Sequence, residues 1–299
     1  MSTIKYQKID PNNSNDPIDK KLYKYLINDF RKGYIEVTDK KYVFTQYYTE
    51  FIEKIENFEV YDTDIFVMSH PKTGTTWTQE MVWCIGNNLD VSDEYLYLRF
   101  PWLEGTTQFD LRDASNALPS FFYNEFFTNS LEYVRKKPHP RFIKTQLPWD
   151  LLPRQIRTGE RKPKIIYVYR NPKDTCVSFY HHYVNIKSFG GDFNDFVELF
   201  LNGRYSFGPY PAQILSVFQE KHRNNVLILK YEEMKRDLNA VIQEVCKFLN
   251  KNYSEADLVK LQKHLSFEAM KTNKAVNFDL LFGEGKFMRA GIVAKKHDN

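Results

Sequence analysis

Ile65-Phe66-Val67-Met68-Ser69-His70-Pro71-Lys72-Thr73-Gly74-Thr75-Thr76-Trp77 joins an apolar run to a stretch of hydroxyl residues around one Gly. The apolar residues read as a short buried strand and the Pro and Gly as a turn. Thr78 to Asn88 reads as a helix, with Met81, Val82, Ile85 and Leu89 along one stripe. A strand that turns into a helix start aims unpaired backbone N–H groups, hydroxyls and one ammonium at a common point. Such a point attracts phosphate. The Lys lies two residues before the Gly and no Gly-Lys-Ser/Thr follows, so the Walker pattern is missing and a magnesium-dependent nucleotidase or P-loop kinase is disfavoured.

The same alternation recurs downstream. Lys164 to Tyr169 reads as a strand, and Arg170-Asn171-Pro172-Lys173-Asp174 suits the entrance of a helix running to about Ile186. Val226 to Tyr231 is a third strand, followed by a helical stretch from Leu238 to Leu249. Strands separated by helices predict a three-layer α/β/α fold with a central parallel sheet and functional loops at the strands' carboxyl ends. Helical spacing from Tyr42 to Ile55 predicts a helix ahead of the first strand. Asp10-Pro11-Asn12-Asn13-Ser14-Asn15-Asp16-Pro17 reads as mobile, giving a flexible tail over 1–20 and one domain over 21–299.

With 24 Phe and 20 Tyr in 299 residues, flat rings rather than branched aliphatics are expected to line the core or a pocket. A net charge of +4 is a small excess over 42 basic and 38 acidic side chains, which gives no ground for nucleic-acid or membrane binding. Cys84, Cys176 and Cys246 lack CxxC spacing, which argues against a disulfide framework or a metal site. There is no apolar run of the ~18 residues a membrane helix needs, and Met1 to Lys20 is too polar for a signal peptide. A soluble, cytoplasmic protein is expected.

Pro71-Lys72-Thr73-Gly74-Thr75-Thr76-Trp77 resembles the 5′-phosphosulfate loop of the cytosolic sulfotransferases. Tyr169 to His181 resembles that family's 3′-phosphate motif, and the likeness runs from about Tyr34 to Gly291. The resemblance implies 3′-phosphoadenosine-5′-phosphosulfate (PAPS) as donor, 3′-phosphoadenosine-5′-phosphate (PAP) as product, and no metal. It implies a small hydrophobic acceptor bearing a hydroxyl: a phenol, steroid or alcohol. Lys72 would stabilise charge on the leaving nucleotide, and Thr73, Gly74, Thr75 and Thr76 would bind its 5′-phosphate. Trp77 and Phe267 would stack on adenine, while Arg170 and Ser178 would bind the 3′-phosphate. Phe287, Met288, Arg289 and Gly291 match a loop that covers the cofactor, and Lys144 matches a second catalytic lysine. Trp102, His182 and Phe278 match pocket positions, to which Phe100, Phe121 and Phe122 are added.

Three departures qualify what the resemblance implies. The family's catalytic His, in Lys-Thr-His-Leu-Pro, is Gln146, and a carboxamide takes no proton near neutral pH. His182 is the candidate substitute base, also assigned to the acceptor pocket beside Gln146, and His70 a weaker one. Leu265 stands where a Thr often aids the phosphosulfate site, and Tyr210 is one position from an adenine-contacting Tyr. Finally, Arg289-Ala290-Gly291 lacks one Lys, and Ile292 to Asn299 does not continue into Gly-Asp-Trp-Lys, so a monomer or weak homodimer is expected. The functions left open are a sulfotransferase preferring acidic phenols, a nucleotide-binding protein without useful turnover, and an alcohol dehydratase of the retinol-dehydrating kind.

Overall fold

In the computed structural model, which describes residues 4–112, 120–186, 188–279, 283 and 287–288, an antiparallel sheet of three strands comes first. Its strands are β1 (Tyr6–Ile9), β2 (Tyr34–Val37) and β3 (Tyr42–Thr45). β1 replaces part of the flexible tail expected over 1–20. Its side chains are mostly exposed, but its backbone pairs with β2 from Tyr6 against Val37 to Ile9 against Tyr34, so ladder hydrogen bonds hold what side-chain burial does not. The polar stretch after it is a turn: Asp10 accepts the Asn12 N–H at 2.9 Å, and Asp16 caps the helix Pro17–Leu26 by accepting the Ile18 N–H at 2.8 Å.

The helix expected over 42–55 is also corrected. The segment divides into β3, a 3₁₀ turn at Gln46–Glu50 and a short helix at Ile52–Glu56. All four residues of β3 are buried, so both faces meet protein and the two-residue alternation that marks a half-exposed strand is missing.

The central sheet is parallel, with β4 (Ile65–Ser69), β5 (Phe142–Thr145), β6 (Lys164–Tyr169) and β7 (Val226–Lys230) in the order β5-β4-β6-β7. Alternate residues enter two cores. Phe66, Met68, Ile143 and Tyr167 face a layer containing Phe44, Tyr48 and Trp149. Val67, Ile166, Val168 and Leu229 face the helices Thr75–Gly86 and Leu238–Phe248 through Met81, Ile85, Val241 and Val245. This is the expected α/β architecture, and the predicted helices after β4, β6 and β7 start and stop within three residues of the observed Thr75–Gly86, Pro172–Asn185 and Leu238–Phe248.

Register positions the site. Val67 lies opposite both Lys144 and Ile166, and Ser69 opposite Val168, so β4, β5 and β6 end along one edge. Beyond that edge follow Lys72, Gln146 and Arg170. No helix of the described residues is long and apolar enough to cross a membrane.

Candidate active site

Past Ser69 the backbone enters the left-handed region twice, at Lys72 (φ 70°) and at Gly74 (φ 109°), where the helix Thr75–Gly86 begins. A Lys there is strained and needs support. Thr73 supplies it: its hydroxyl faces the His70 carbonyl at 2.8 Å and the Val168 carbonyl of β6 at 3.1 Å. The Ser69 and Thr75 hydroxyls are joined at 2.6 Å, and the Thr78 hydroxyl donates to the Gly74 carbonyl at 3.1 Å. A Cβ on Gly74 would fall 2.7 Å from Cδ2 of Tyr231, so the ring fixes how closely backbone can approach.

The loop forms one end of a cavity of about 660 Å³. Gly74, Thr75, Thr76, Trp77, Arg170 and Ser178 lie on its wall. Trp77 is oriented by donating its indole N–H to the Leu265 carbonyl at 2.8 Å, and its ring meets Tyr231 edge-on at 5.8 Å. Arg170 lies over the Tyr231 ring at 4.3 Å and pairs with Asp174 at 4.0 Å. Tyr210, whose hydroxyl donates to the Arg170 carbonyl, supports that loop from beneath. Lys235 stands 5.9 Å from the Trp77 ring and 5.7 Å from that of Phe267, which also lines the cavity. Two aromatic faces and three cations, Lys72, Arg170 and Lys235, therefore open on one space.

Lys72, Lys144, Gln146 and His182 line the same cavity. Lys72 Nζ lies 4.2 Å from the centroid of Phe287, and Lys144 Nζ lies 4.3 Å from that of Trp102. Burial pulls the Lys144 ammonium down to about 8, opposed by the negative charge of Glu104. Glu104 is itself fully buried and its carboxyl is raised by that burial. It accepts from the Gln146 backbone N–H at 2.6 Å, the Trp102 indole at 2.6 Å and the Thr145 hydroxyl at 2.9 Å. One carboxylate thus positions the Lys144-Thr145-Gln146 stretch and the ring over which Lys144 lies. On the other side, the Gln146 carbonyl accepts from Gln213 at 2.7 Å.

The two His residues part company. Burial, then the charges of Lys72, Arg31 and Lys144, hold His182 well below the ordinary imidazole range, so it is neutral at physiological pH and faces the cavity. His70 is fully buried, and burial lowers it to about 3. Its Nδ1 bonds the Pro71 carbonyl at 2.9 Å, and its ring meets Phe179, Tyr205 and Tyr210 edge-on. It is a core residue, which removes it as a candidate base.

Of the other expected residues, Trp102, Phe278, Phe287 and Met288 line the cavity, as do Phe100 and Phe122. Thr73 is fully buried in its structural bonds and lies off the cavity wall. Arg289, Gly291 and the side chain of Phe121 lie outside the described residues. Sequence reasoning missed Glu104, Arg31, Tyr231 and Lys235. Tyr231 closes the third apolar run and Lys235 lies four residues further, both on the short helix Tyr231–Arg236, and the parallel-sheet expectation was itself a signal that the carboxyl end of this strand opens on the site.

A model of the sulfotransferase domain matches residues 62–299. The chain is 42% identical over 290 residues to the luciferin sulfotransferase of Photinus pyralis, covering 93% of this chain and 78% of that protein. It is 34% identical over 252 residues to sulfotransferase 1B1 of Canis lupus familiaris, covering 81% and 79%. Among solved structures, retinol dehydratase in complex with retinol and PAP superposes with a TM-score of 0.87 at 29% identity, over 97% of this chain and 90% of that one. A mouse sulfotransferase complexed with PAP gives 0.66 at 27% identity, over 85% of each chain.

Proposed function

We propose that this chain, which belongs to the sulfotransferase family, transfers the sulfuryl group of PAPS to the hydroxyl of a small hydrophobic acceptor. The observation that carries this reading is that the phosphate loop, Arg170 with Ser178, the Trp77 and Phe267 rings and the Lys144–Gln146 stretch all open on one cavity. The residues fit such a nucleotide: Gly74 leaves room for close backbone approach, and the cations face flat rings.

Lys72 and the N–H groups from Gly74 to Trp77 would hold the 5′-phosphate, Trp77 and Phe267 the adenine, and Arg170 with Ser178 the 3′-phosphate. When bound, the donor supplies a sulfuryl group already activated by its anhydride link to phosphate. Lys72, whose ammonium lies over Phe287, would meet negative charge on the departing oxygen. Lys144 offers a second ammonium, and Gln146 can accept a hydrogen bond from the acceptor hydroxyl without taking its proton. Phenols, whose hydroxyl ionises near pH 10, suffer least from that deficit, so they are expected to outpace aliphatic alcohols. His182, on the same cavity wall, would be the candidate to receive the proton, as a weak base, since burial and the neighbouring cations lower its imidazole.

Calorimetric titration tests the nucleotide half of this reading. PAP is expected to bind at least about 10²-fold more tightly than 5′-AMP, because charge-assisted bonds from Arg170 and Ser178 are each worth about 1.5–3 kcal/mol. Equal affinities would overturn it. Gly74→Ala should weaken PAP by about tenfold or more, since positive φ and the Tyr231 contact each cost of order 1 kcal/mol or more; unchanged affinity with a native circular dichroism spectrum would refute that role.

A pH profile tests Lys144. With its ammonium at about 8 in the free protein, kcat/KM for an already ionised polyfluorophenol should fall as pH rises through about 8, where the ammonium is lost. Lys144→Arg should move that limb above pH 10. A limb unmoved by this substitution would clear Lys144.

A second reading is favoured by the superposition on retinol dehydratase along 97% of the chain. Sulfation of an allylic alcohol would create a leaving group and elimination would follow, detectable as a dehydrated product by mass spectrometry.

A further inference from the structure

Arg31 belongs to none of the donor-binding elements, yet it lies on the cavity wall with only 6% of its surface exposed. Among the described residues its Nε and Nη1 are buried without a hydrogen-bond partner, and no carboxylate pairs with it. The nearby Asp110 is taken by Arg112, at 2.8 Å from each of two guanidinium nitrogens, and by Lys32 at 3.8 Å. A buried guanidinium without a counter-charge is costly, because lost hydration is not replaced.

The turn that presents Arg31 is nonetheless firmly built. Asn28 Oδ1 accepts the N–H groups of both Phe30 and Arg31 at 3.0 Å, and the Asp110 N–H donates to the Phe30 carbonyl at 3.1 Å. The guanidinium lies between two rings, 5.8 Å from Phe109 and 5.6 Å from Tyr183. Phe30, Phe109 and Phe122 pack around this end, with centroids 6.0–6.5 Å apart. Along the helix Pro172–Asn185, Ser178 would face the nucleotide, His182 comes one turn further, and its neighbour Tyr183 packs against Arg31, so the guanidinium lies at the His182 end of the helix rather than at the Ser178 end.

We propose that Arg31 is a specificity residue for an acceptor that carries a carboxylate at the end remote from the hydroxyl, so that the preferred substrates are hydroxyaryl acids. This rests on the sulfotransferase reading and deepens it by naming the acceptor class. The planar fork of Arg matches a carboxylate with two parallel hydrogen bonds, and the flanking rings match an aromatic or alkyl body. An anion there completes a charge that the fold leaves unmatched, whereas the corresponding ester or amide does not.

The test uses ω-(4-hydroxyphenyl)alkanoic acids of two to six methylenes and their methyl esters, with the full-length protein, Arg31→Met and Arg31→Lys. The wild type should prefer at least one acid over its ester by about tenfold or more in kcat/KM, chiefly through KM. Arg31→Met should collapse that ratio and Arg31→Lys restore part of it. The same acids titrated calorimetrically into the PAP-saturated protein give a readout that needs no turnover. Acid binding that depends on Arg31 without any sulfation would keep this inference while rejecting the sulfotransferase reading. The Arg31→Met protein should melt at the same or a higher temperature, since a buried unpaired cation is removed. An acid-to-ester ratio near one in the wild type, equal loss for acid and ester, or loss of PAP affinity in Arg31→Met would each overturn the proposal.

Discussion

Lys72→Met is expected to lower kcat by about 10³-fold, some 4 kcal/mol of transition-state stabilisation, while PAP affinity falls by only about tenfold. The disparity follows from where the ammonium is held. Lys72 occupies a left-handed backbone position, and that conformation is maintained by the Thr73 hydroxyl bridging the loop to β6, so the strain is met by structure independent of any ligand. The Phe287 ring at 4.2 Å restricts the side chain further. A charge oriented in advance needs little reorganisation when negative charge develops beside it, and that is where it contributes most. In the ground state the same charge would share the binding of the nucleotide with backbone N–H groups of the loop and, at the 3′-phosphate, with Arg170. Single-turnover sulfate transfer alongside calorimetric titration of PAP separates the two effects. Parallel losses of tenfold in both would reduce Lys72 to a binding residue.

The second large effect is a gain. Gln146→His is expected to raise kcat/KM toward unactivated alcohols by about 10²-fold, with a much smaller gain for nitrophenols, because general-base catalysis is worth most where the hydroxyl is least acidic. The backbone at this position is held from both sides, by Glu104 at 2.6 Å and Gln213 at 2.7 Å, so a new side chain should leave along the same direction. Burial, then the charges of Lys72, Arg31 and Lys144, hold His182 unprotonated, and an imidazole at position 146 on the same cavity wall would likewise start in the unprotonated form a general base requires, at the cost of some basicity. Initial rates across a series of alcohols and phenols of graded acidity give the dependence directly. A slope identical to that of the wild type would mean that the proton already leaves by another path, and His182→Phe would then be the damaging substitution.

The parallel sheet was legible because β4, β6 and β7 are apolar runs followed by helix-entry signals, and the loops after β4 and β6 have recognisable residue strings. β5 was less so. Phe142–Thr145 is four residues long and carries Lys144 in its middle, and it is a strand because its backbone pairs with β4. The N-terminal sheet was misread for two opposite reasons. β1 is too polar to announce itself and depends on ladder bonds, while β3 is buried on both faces and so shows no alternation. In the site, Lys72, Gln146 and Arg170 could be named from local strings, but Glu104 and Arg31 could not. Glu104 draws its importance from three donors contributed by Trp102, Thr145 and Gln146, and Arg31 from a buried guanidinium that no carboxylate meets among the described residues, and neither property is local in sequence.

Incubating the protein with PAPS and a panel of phenols, and following sulfated product together with released PAP, tests the central claim most directly. The expected result is a sulfated phenol formed in step with PAP, fastest for the more acidic phenols and reduced about 10³-fold by Lys72→Met. Tight PAP binding with no sulfate transferred to any acceptor, hydroxyaryl acids included, would contradict it and leave a nucleotide-binding protein whose phosphate loop serves no transfer.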